Sequence, residues 1–351
     1  MPKKHAALPP VLGAHFSTAL AMEHGVTRRR LRGGDLQKPF HGARRTVEDI
    51  AAEKERLDGD TRPLSLSRRL AEELHSRALT YLQVMPKDAF ICGRSAALLR
   101  GYPLGAPKNR DKSRRQEEED EDEEDERESL DVGVITPQTA PRGKRVKGRR
   151  LASRFVQVEQ FDGVPVMTAP TMWAMLGREL TERELTILAD AIVHIPRDSY
   201  GILHPERADA TLADLQAAID AGPQKGVAKL RVALARARTG SASPLETEYR
   251  LDAEDAGLPA PELDVQIRDE RGRLLGISEL VYREYRLVVE IEGDHHRSSR
   301  QQWNRDIEKY RDYAEAGWEV VRLTSTHIRA RRNAVEIVRT ALIRRRRALG
   351  H

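Results

Sequence analysis

Three glutamates in the last third of the chain have the type and spacing for metal-assisted chemistry. Glu290 and Glu292 close the run Leu287-Val288-Val289-Glu290-Ile291-Glu292, and the two-residue repeat of a strand projects both from one face with Val288. Leu287, Val289 and Ile291 then face the other way. A strand this apolar before Glu290 is covered on both faces, so carboxylates at its end are costly unless they are paired or bind a cation. Glu279, on the preceding strand, reaches the same place across a short turn. Gly293 then releases the chain into Asp294-His295-His296-Arg297, which puts imidazoles just outside the carboxylates. Such an oxygen-rich, open set suits Mg²⁺ or Mn²⁺ better than zinc. A metal there would stabilise charge on a scissile phosphate, with Glu279 and Glu290 as its ligands and His296 as candidate base or leaving-group acid.

These residues need a scaffold, and the periodicities supply one. After Gly240 and the small residues Ser241 to Ser243, Pro244 starts a helix (245–256). Strands are predicted over 263–268, 275–281 and 286–292, a helix over 301–316, a strand over 318–323 and a basic helix over 333–348. The order is αβββαβα, in a domain spanning 241–351.

Several segments of this domain carry a resemblance: Ser243-Pro244-Leu245-Glu246, Gly276-Ile277-Ser278-Glu279, Val288-Val289-Glu290-Ile291-Glu292-Gly293 with His296, Arg305-Asp306, and Gly317-Trp318-Glu319-Val320-Val321-Arg322. In that order they resemble the motifs of an actinobacterial-type domain related to very-short-patch-repair (Vsr-like) endonucleases, in the PD-(D/E)XK superfamily. The resemblance implies a restriction-endonuclease-like αβββαβ fold and a metal-dependent DNA endonuclease or nicking enzyme. It makes Glu290 the central metal-binding acid and Glu279 the first acid. Glu292 takes the position that is usually lysine in the wider superfamily, and His296 is the histidine of this branch. Glu246 is the helix acid, Asp306 the polar position of the next helix, and Arg322 a DNA contact. The pattern departs at Glu279, where the first acid is usually Asp. One added methylene moves a carboxylate by more than the roughly 0.5 Å tolerated in a catalytic shell.

Residues 1–60 read as a winged helix-turn-helix. A helix over Phe16 to His24 is followed by a turn at Gly25 and by Thr27 as cap of a short helix bearing Arg28, Arg29 and Arg30. Pro39-Phe40-His41-Gly42 with Arg44 and Arg45 would form the wing that reaches a phosphate backbone. Residues 61–240 read as a central α+β region. Its helices are expected near 64–84, 95–100, 170–180, 182–194, 212–221 and 227–237, and its strands near 89–92, 130–135, 155–160 and 164–167. A charged insertion, 108–129, has almost no apolar residues and is expected to be disordered. Phe16 to Arg45, with Ser95-Ala96-Ala97 and Thr168-Ala169-Pro170, is similar to the winged-helix region of abortive-infection antitoxin-like proteins, which are often fused to this nuclease-like domain.

Charge points the same way. The formal net charge is +5, yet Glu117 through Glu126 are ten consecutive acids, and the remainder carries +15. A basic surplus of that size favours DNA through counterion release. Cys92 is the single cysteine, which excludes an intrachain disulfide and a Cys-based zinc cluster and fits a cytoplasmic protein. Pro9, Pro10, Gly13 and His15 break the only stretch resembling a secretory signal, and no membrane-spanning run is present. The expected activity is hydrolysis of DNA phosphodiesters. The alternative is a non-catalytic, antitoxin-like DNA-binding regulator with a degenerate nuclease fold.

Overall fold

The computed structural model describes residues 5–59, 66–104, 129–292 and 300–350. It is a mixed α/β protein in two compact units, residues 1–176 with 220–224, and residues 177–219 with 225–351. Among the described residues, no helix is long and apolar enough to cross a membrane. The charged insertion 108–129 lies outside the described residues except for Ser129.

The first unit begins with a three-stranded antiparallel sheet in the order β1 (His15–Ser17), β3 (Ala43–Thr46), β2 (Leu36–Gln37). The expected helix from Phe16 starts only at α1 (Thr18–Glu23), because Phe16 pairs with Arg44 in the sheet and is fully buried with Leu12, Ala21, Val26, Leu31 and Leu36. Ser17 caps α1 by accepting from Leu20 N at 3.1 Å. Thr27 does cap the next element, accepting from Arg30 N at 3.2 Å, but that element is a single 3₁₀ turn, Arg30–Arg32, rather than a helix. After α2 (Val47–Gly59) and α3 (Leu66–Leu82), a six-stranded mixed sheet follows in the order β6-β7-β5-β4-β9-β8. Its centre is β4 (Phe90–Ile91), β5 (Leu130–Ile135) and β9 (Val164–Met167), with β8 (Val158–Phe161) at one edge. The other edge, β6 (Arg142–Gly143) and β7 (Val146–Leu151), escapes the sequence reading because bases and glycines stand where alternating apolar residues would signal a strand. Helices α4 (Gly93–Leu99) and α5 (Ala169–Leu176) pack on each other.

The second unit joins α6 (Glu182–Val193), α7 (Leu212–Asp220) and α8 (Val227–Arg236) to the carboxyl-terminal elements. The sequence places the boundary at 240. The structure draws it at 176, because long-range ion pairs that no periodicity reveals tie 177–219 to the carboxyl-terminal helices and strands. Arg183 bridges Asp252 at 2.7 Å and Arg197 bridges Asp264 at 2.7 Å. Beyond α9 (Pro244–Asp255) lies a four-stranded sheet, β10 (Glu262–Arg268), β11 (Leu274–Tyr282), β12 (Leu287–Glu292) and β13 (Glu319–Thr324). The first three strands form an antiparallel meander. β13 runs parallel to β12 and is reached through α10 (Arg300–Glu315), since a parallel pair needs a crossover. One face of the sheet buries Leu287, Val289 and Ile291 with Tyr249 of α9 and Val338, Ala341 and Leu342 of α11 (Ala334–Leu349). The other buries Val281 and Val288 against Tyr313 of α10. Strand parity therefore directs Glu290 toward α10.

Candidate active site in the carboxyl-terminal unit

The site assembles where α9, the β11–β12 pair and α10 meet. Ser243 is the N-cap of α9, its Oγ accepting from Glu246 N at 3.3 Å, and Pro244 fits the first turn because its missing N–H needs no partner there. Glu246 turns back to accept from Ala242 N at 2.8 Å, and it is buried. Glu279 sits on β11 beside Glu290, since Leu280 opposes Val289 in the antiparallel register. Its Oε2 accepts from Ile291 N at 2.6 Å. Glu290 is 7% exposed, and its Oε1 accepts from Lys309 Nζ at 2.8 Å. Lys309 also donates to Ile277 O at 2.7 Å. Room for this lysine is made at Gly276, where a Cβ would stand 2.7 Å from the Tyr313 hydroxyl and 3.1 Å from the Lys309 side chain. That hydroxyl is fixed by Ser278 Oγ at 2.9 Å.

Burial and shared negative charge dominate the electrostatics. Burial pushes the Glu279 carboxyl up to about 8, and the charges of Glu246 and Glu290 push the same way against Lys309 and the Ile291 N–H. Burial raises Glu246 to about 7 despite the Ser243 and Ala242 hydrogen bonds, with Asp264 and Glu290 adding to the rise. Three carboxylates thus share one field with Lys309, which is bonded to Glu290. The raised proton affinity of Glu279 and Glu246 follows first from burial and then from the neighbouring acids. Among the described residues no group of three or more His, Cys, Asp or Glu side chains is arranged to hold a metal ion. Glu279 and Glu290, side by side on β11 and β12, are the acids that could hold a hard cation that retains its waters.

The remaining expected site residues disperse. Glu292 is not in the carboxylate set; it forms an ion pair with Arg322, and Arg322 also lies 5.4 Å over the Tyr310 ring. The pair forms because the adjacent strands β12 and β13 place these opposite charges within reach. His296 lies outside the described residues, as does the side chain of Asp306 on α10. In the first unit, Arg28 and Arg29 are exposed. Arg30, in contrast, is clamped by Asp35 at 2.9 and 2.6 Å and by Ala6 O at 2.6 Å. Arg44 donates to Leu31 O at 3.0 Å and Ala43 O at 2.7 Å. Arg45 is buried against Asp49, at 2.7 Å, and Glu53. These three arginines hold their own subdomain together instead of presenting a phosphate-binding face.

Lys309 is the side chain of this cluster that sequence reasoning missed. The motif resemblance pointed to Asp306, one turn earlier on the same helix. The available signal was the demand of Glu290 for a counter-charge, together with the i, i+4 pairing of Lys309 and Tyr313 on the helix that must cross over β12. No protein-family model matches this chain, and no curated protein or solved structure is significantly similar to it.

Proposed function

We propose that the carboxyl-terminal unit is a Mg²⁺- or Mn²⁺-dependent endonuclease or nicking enzyme that hydrolyses DNA phosphodiester bonds. The observation that carries this reading is the set Glu246, Glu279 and Glu290, in which the first two have raised proton affinity and Lys309 pairs with the third. It sits on an αβββαβ sequence of elements, in accord with the restriction-endonuclease-like fold that the motif resemblance implies. Glu279 and Glu290 would hold the cation, which when bound supplies electrostatic stabilisation of charge developing on the phosphate.

The chain's own groups have separable tasks. Glu290 orients Lys309, whose ammonium has a third donor to offer a phosphate oxygen once two are spent on Glu290 and Ile277. Tyr313 and Ser278 wall the lysine in and keep it from wandering. Glu246 holds the start of α9 in place and, with a proton affinity near neutrality, exchanges a proton with the site at working pH.

The test is incubation of the purified full-length protein with supercoiled plasmid and Mg²⁺ or Mn²⁺. Metal-dependent nicking or linearisation by wild type, absent in Glu290→Ala, is the expected result. If wild type is inert on plasmid, mismatched duplex and single-stranded DNA with both metals, the nuclease reading fails. DNA binding retained in that case would leave the non-catalytic regulator, for which the engagement of Glu279 by Ile291 N is the favouring observation.

A further inference from the structure

Within the first unit, α2 and α3 on one side and the end of α4 with β8 on the other enclose a cavity of about 640 Å³. Small-molecule sites have this size, but they are seldom lined as this one is, by four arginines and four carboxylates. Equal numbers of the two signs leave the wall without a net charge to draw in an ion of either sign. Burial lowers the proton affinity of His15, so at neutral pH it adds no charge. Between the charges stand Leu79, Leu99 and Phe161, which give the wall apolar faces. His75 ties α3 to the turn after β8, its Nε2 donating to Asp162 O at 3.0 Å.

Most charges of this wall are spent on one another. Arg45 holds Asp49 and Glu53, and Glu159 balances Arg100. What is left over is hydrogen-bonding capacity, of both kinds. Glu72 Oε2 on α3 is buried and accepts no hydrogen bond among the described residues. Arg56 and Arg68 stand 3.5 Å from the oxygens of this carboxylate, which is attraction without a bond. Arg100 Nε, at the end of α4, is buried without an acceptor, on a side chain only 4% exposed. That side chain is fixed in place: Nη2 donates to Glu159 and, at 3.2 Å, to Met167 O, and the guanidinium lies 4.8 Å over the Phe161 ring. Unmet buried donors and acceptors are costly, so one of each beside a cavity is explained by what fills it.

The occupant that meets both needs is neutral, with a donor for the carboxylate, an acceptor for the guanidinium and flat apolar faces for Leu79, Leu99 and Phe161. An ion finds no matching net charge, and a sugar, with hydroxyls on every side, needs more polar partners than two. A nucleobase has the required distribution, since its ring nitrogens, carbonyls and amino groups lie on its edges and its faces stack on apolar side chains. We infer that this cavity is a nucleobase-binding site, with Glu72 accepting from a base N–H and Arg100 donating to a ring nitrogen or carbonyl. The base belongs to a free nucleoside or to an unstacked nucleotide of a nucleic-acid strand. The inference does not rest on the cleavage reading of the other unit.

The experiment is calorimetric titration of the full-length protein with guanosine, adenosine, cytidine and thymidine, with ribose as control. At least one nucleoside should bind saturably and raise the melting temperature, and ribose should do neither. Glu72→Gln, which exchanges one acceptor oxygen for a donor, should weaken binding about 10- to 100-fold, as for one lost hydrogen bond to a charged partner. Arg100→Lys keeps a cation at Phe161 but removes Nε, and should cost a similar factor. Circular dichroism separates lost contacts from lost fold, and Glu72, the less buried of the two, keeps the test open if Arg100→Lys does not fold. Single-stranded DNA should displace the nucleoside if the base belongs to a strand and leave it bound if the ligand is free. The inference is overturned if no nucleoside binds, as for a cavity that holds water alone, or if ribose binds equally well. It is also overturned by an unchanged Kd in folded Glu72→Gln, or by a strand of abasic nucleotides that displaces the nucleoside as well as DNA does.

Discussion

The second unit buries carboxylates at two places and treats them in opposite ways. Asp190 on α6 is 1% exposed and is surrounded by donors: Arg250 at 2.7 Å, Thr247 Oγ1 at 2.8 Å and Arg238 N at 2.7 Å. Burial pushes its carboxyl up, and the guanidinium and the hydrogen bonds pull it back. Glu246, Glu279 and Glu290 form the second place, where acids face acids and Lys309 bonds to one of the three. The first arrangement closes on itself and joins α6 to α9. The second remains short of positive charge. A fold built only for stability would not retain it, since unbalanced buried charge is among the costliest features a protein can carry. The difference separates a cluster that closes on itself from one that, on the proposed reading, serves a ligand.

The largest expected effect tests the brace. Asp190→Ala strands Arg250, itself buried, without its carboxylate, and truncating one partner of a buried pair costs about 3–5 kcal/mol. Urea denaturation of the full-length protein should show that loss in the transition of the second unit. A change under about 1 kcal/mol would mean that Asp190 is no more a brace than the open cluster is.

At Glu290 the balance should invert, with activity lost and stability kept. Lys309→Ala removes the donor that Glu290 orients, and loss of one such donor typically lowers the rate about 10²- to 10³-fold. Glu290→Gln should lower cleavage at least as far, while its melting temperature stays at or above that of wild type because one buried charge is gone. Plasmid nicking rates and thermal scans on the same preparations check both. Unfolding of Glu290→Gln at ordinary temperatures would make the cluster structural.

The open cluster should also set a pH response. Glu279 and Glu246 are raised from an ordinary 4.5 to about 8 and about 7. In the folded protein they therefore hold protons that the unfolded chain has already released above about pH 4.5. The stability they contribute is fully present below that pH and is lost as pH rises toward about 8. The melting temperature should fall between about pH 5 and about pH 8.5, and Mg²⁺ should restore it chiefly at the alkaline end, where the carboxylates are free to accept a cation. Glu279→Gln should flatten the profile. A flat wild-type profile would mean that the acids do not share one field.

The features legible in the sequence are the local ones. The strands of the second unit could be read because Leu287 to Ile291 is a nearly continuous apolar run, and parity alone put Glu290 on the face of Val288. The αβββαβ order needed only turn residues and period. Lys309 was hidden because its role depends on which helix crosses Glu290. The division at 176 was hidden because Arg183–Asp252 and Arg197–Asp264 join residues more than sixty positions apart. Arg30, Arg44 and Arg45 misled for a similar reason: a run of arginines looks alike whether its partners are phosphates or nearby Asp35, Leu31 O and Asp49. Basic β6–β7 lacked the apolar alternation by which strands are recognised.

The smallest expected effect concerns the length of one side chain. Glu279 reaches Ile291 N at 2.6 Å, so its carboxylate substitutes for a ladder acceptor at the end of β12. Glu279→Asp withdraws that oxygen by about one bond length, which exceeds the roughly 0.5 Å tolerance of a catalytic shell but leaves the charge in place. If the longer side chain pulls the carboxylate away from a cation at Glu290, the shorter one should cleave as fast as wild type or faster. The Ile291 amide should at the same time exchange with solvent more readily. If the hydrogen bond to Ile291 instead fixes the catalytic position, the rate should drop about 10- to 100-fold, as when a supporting partner of a metal ligand is lost. Nicking rates with Mg²⁺ and amide exchange measured on the same variant separate the two, because faster exchange with an undiminished rate is compatible only with the first. That outcome would place Glu279, unlike Asp190, among carboxylates whose hydrogen bonds are dispensable and whose charge is not.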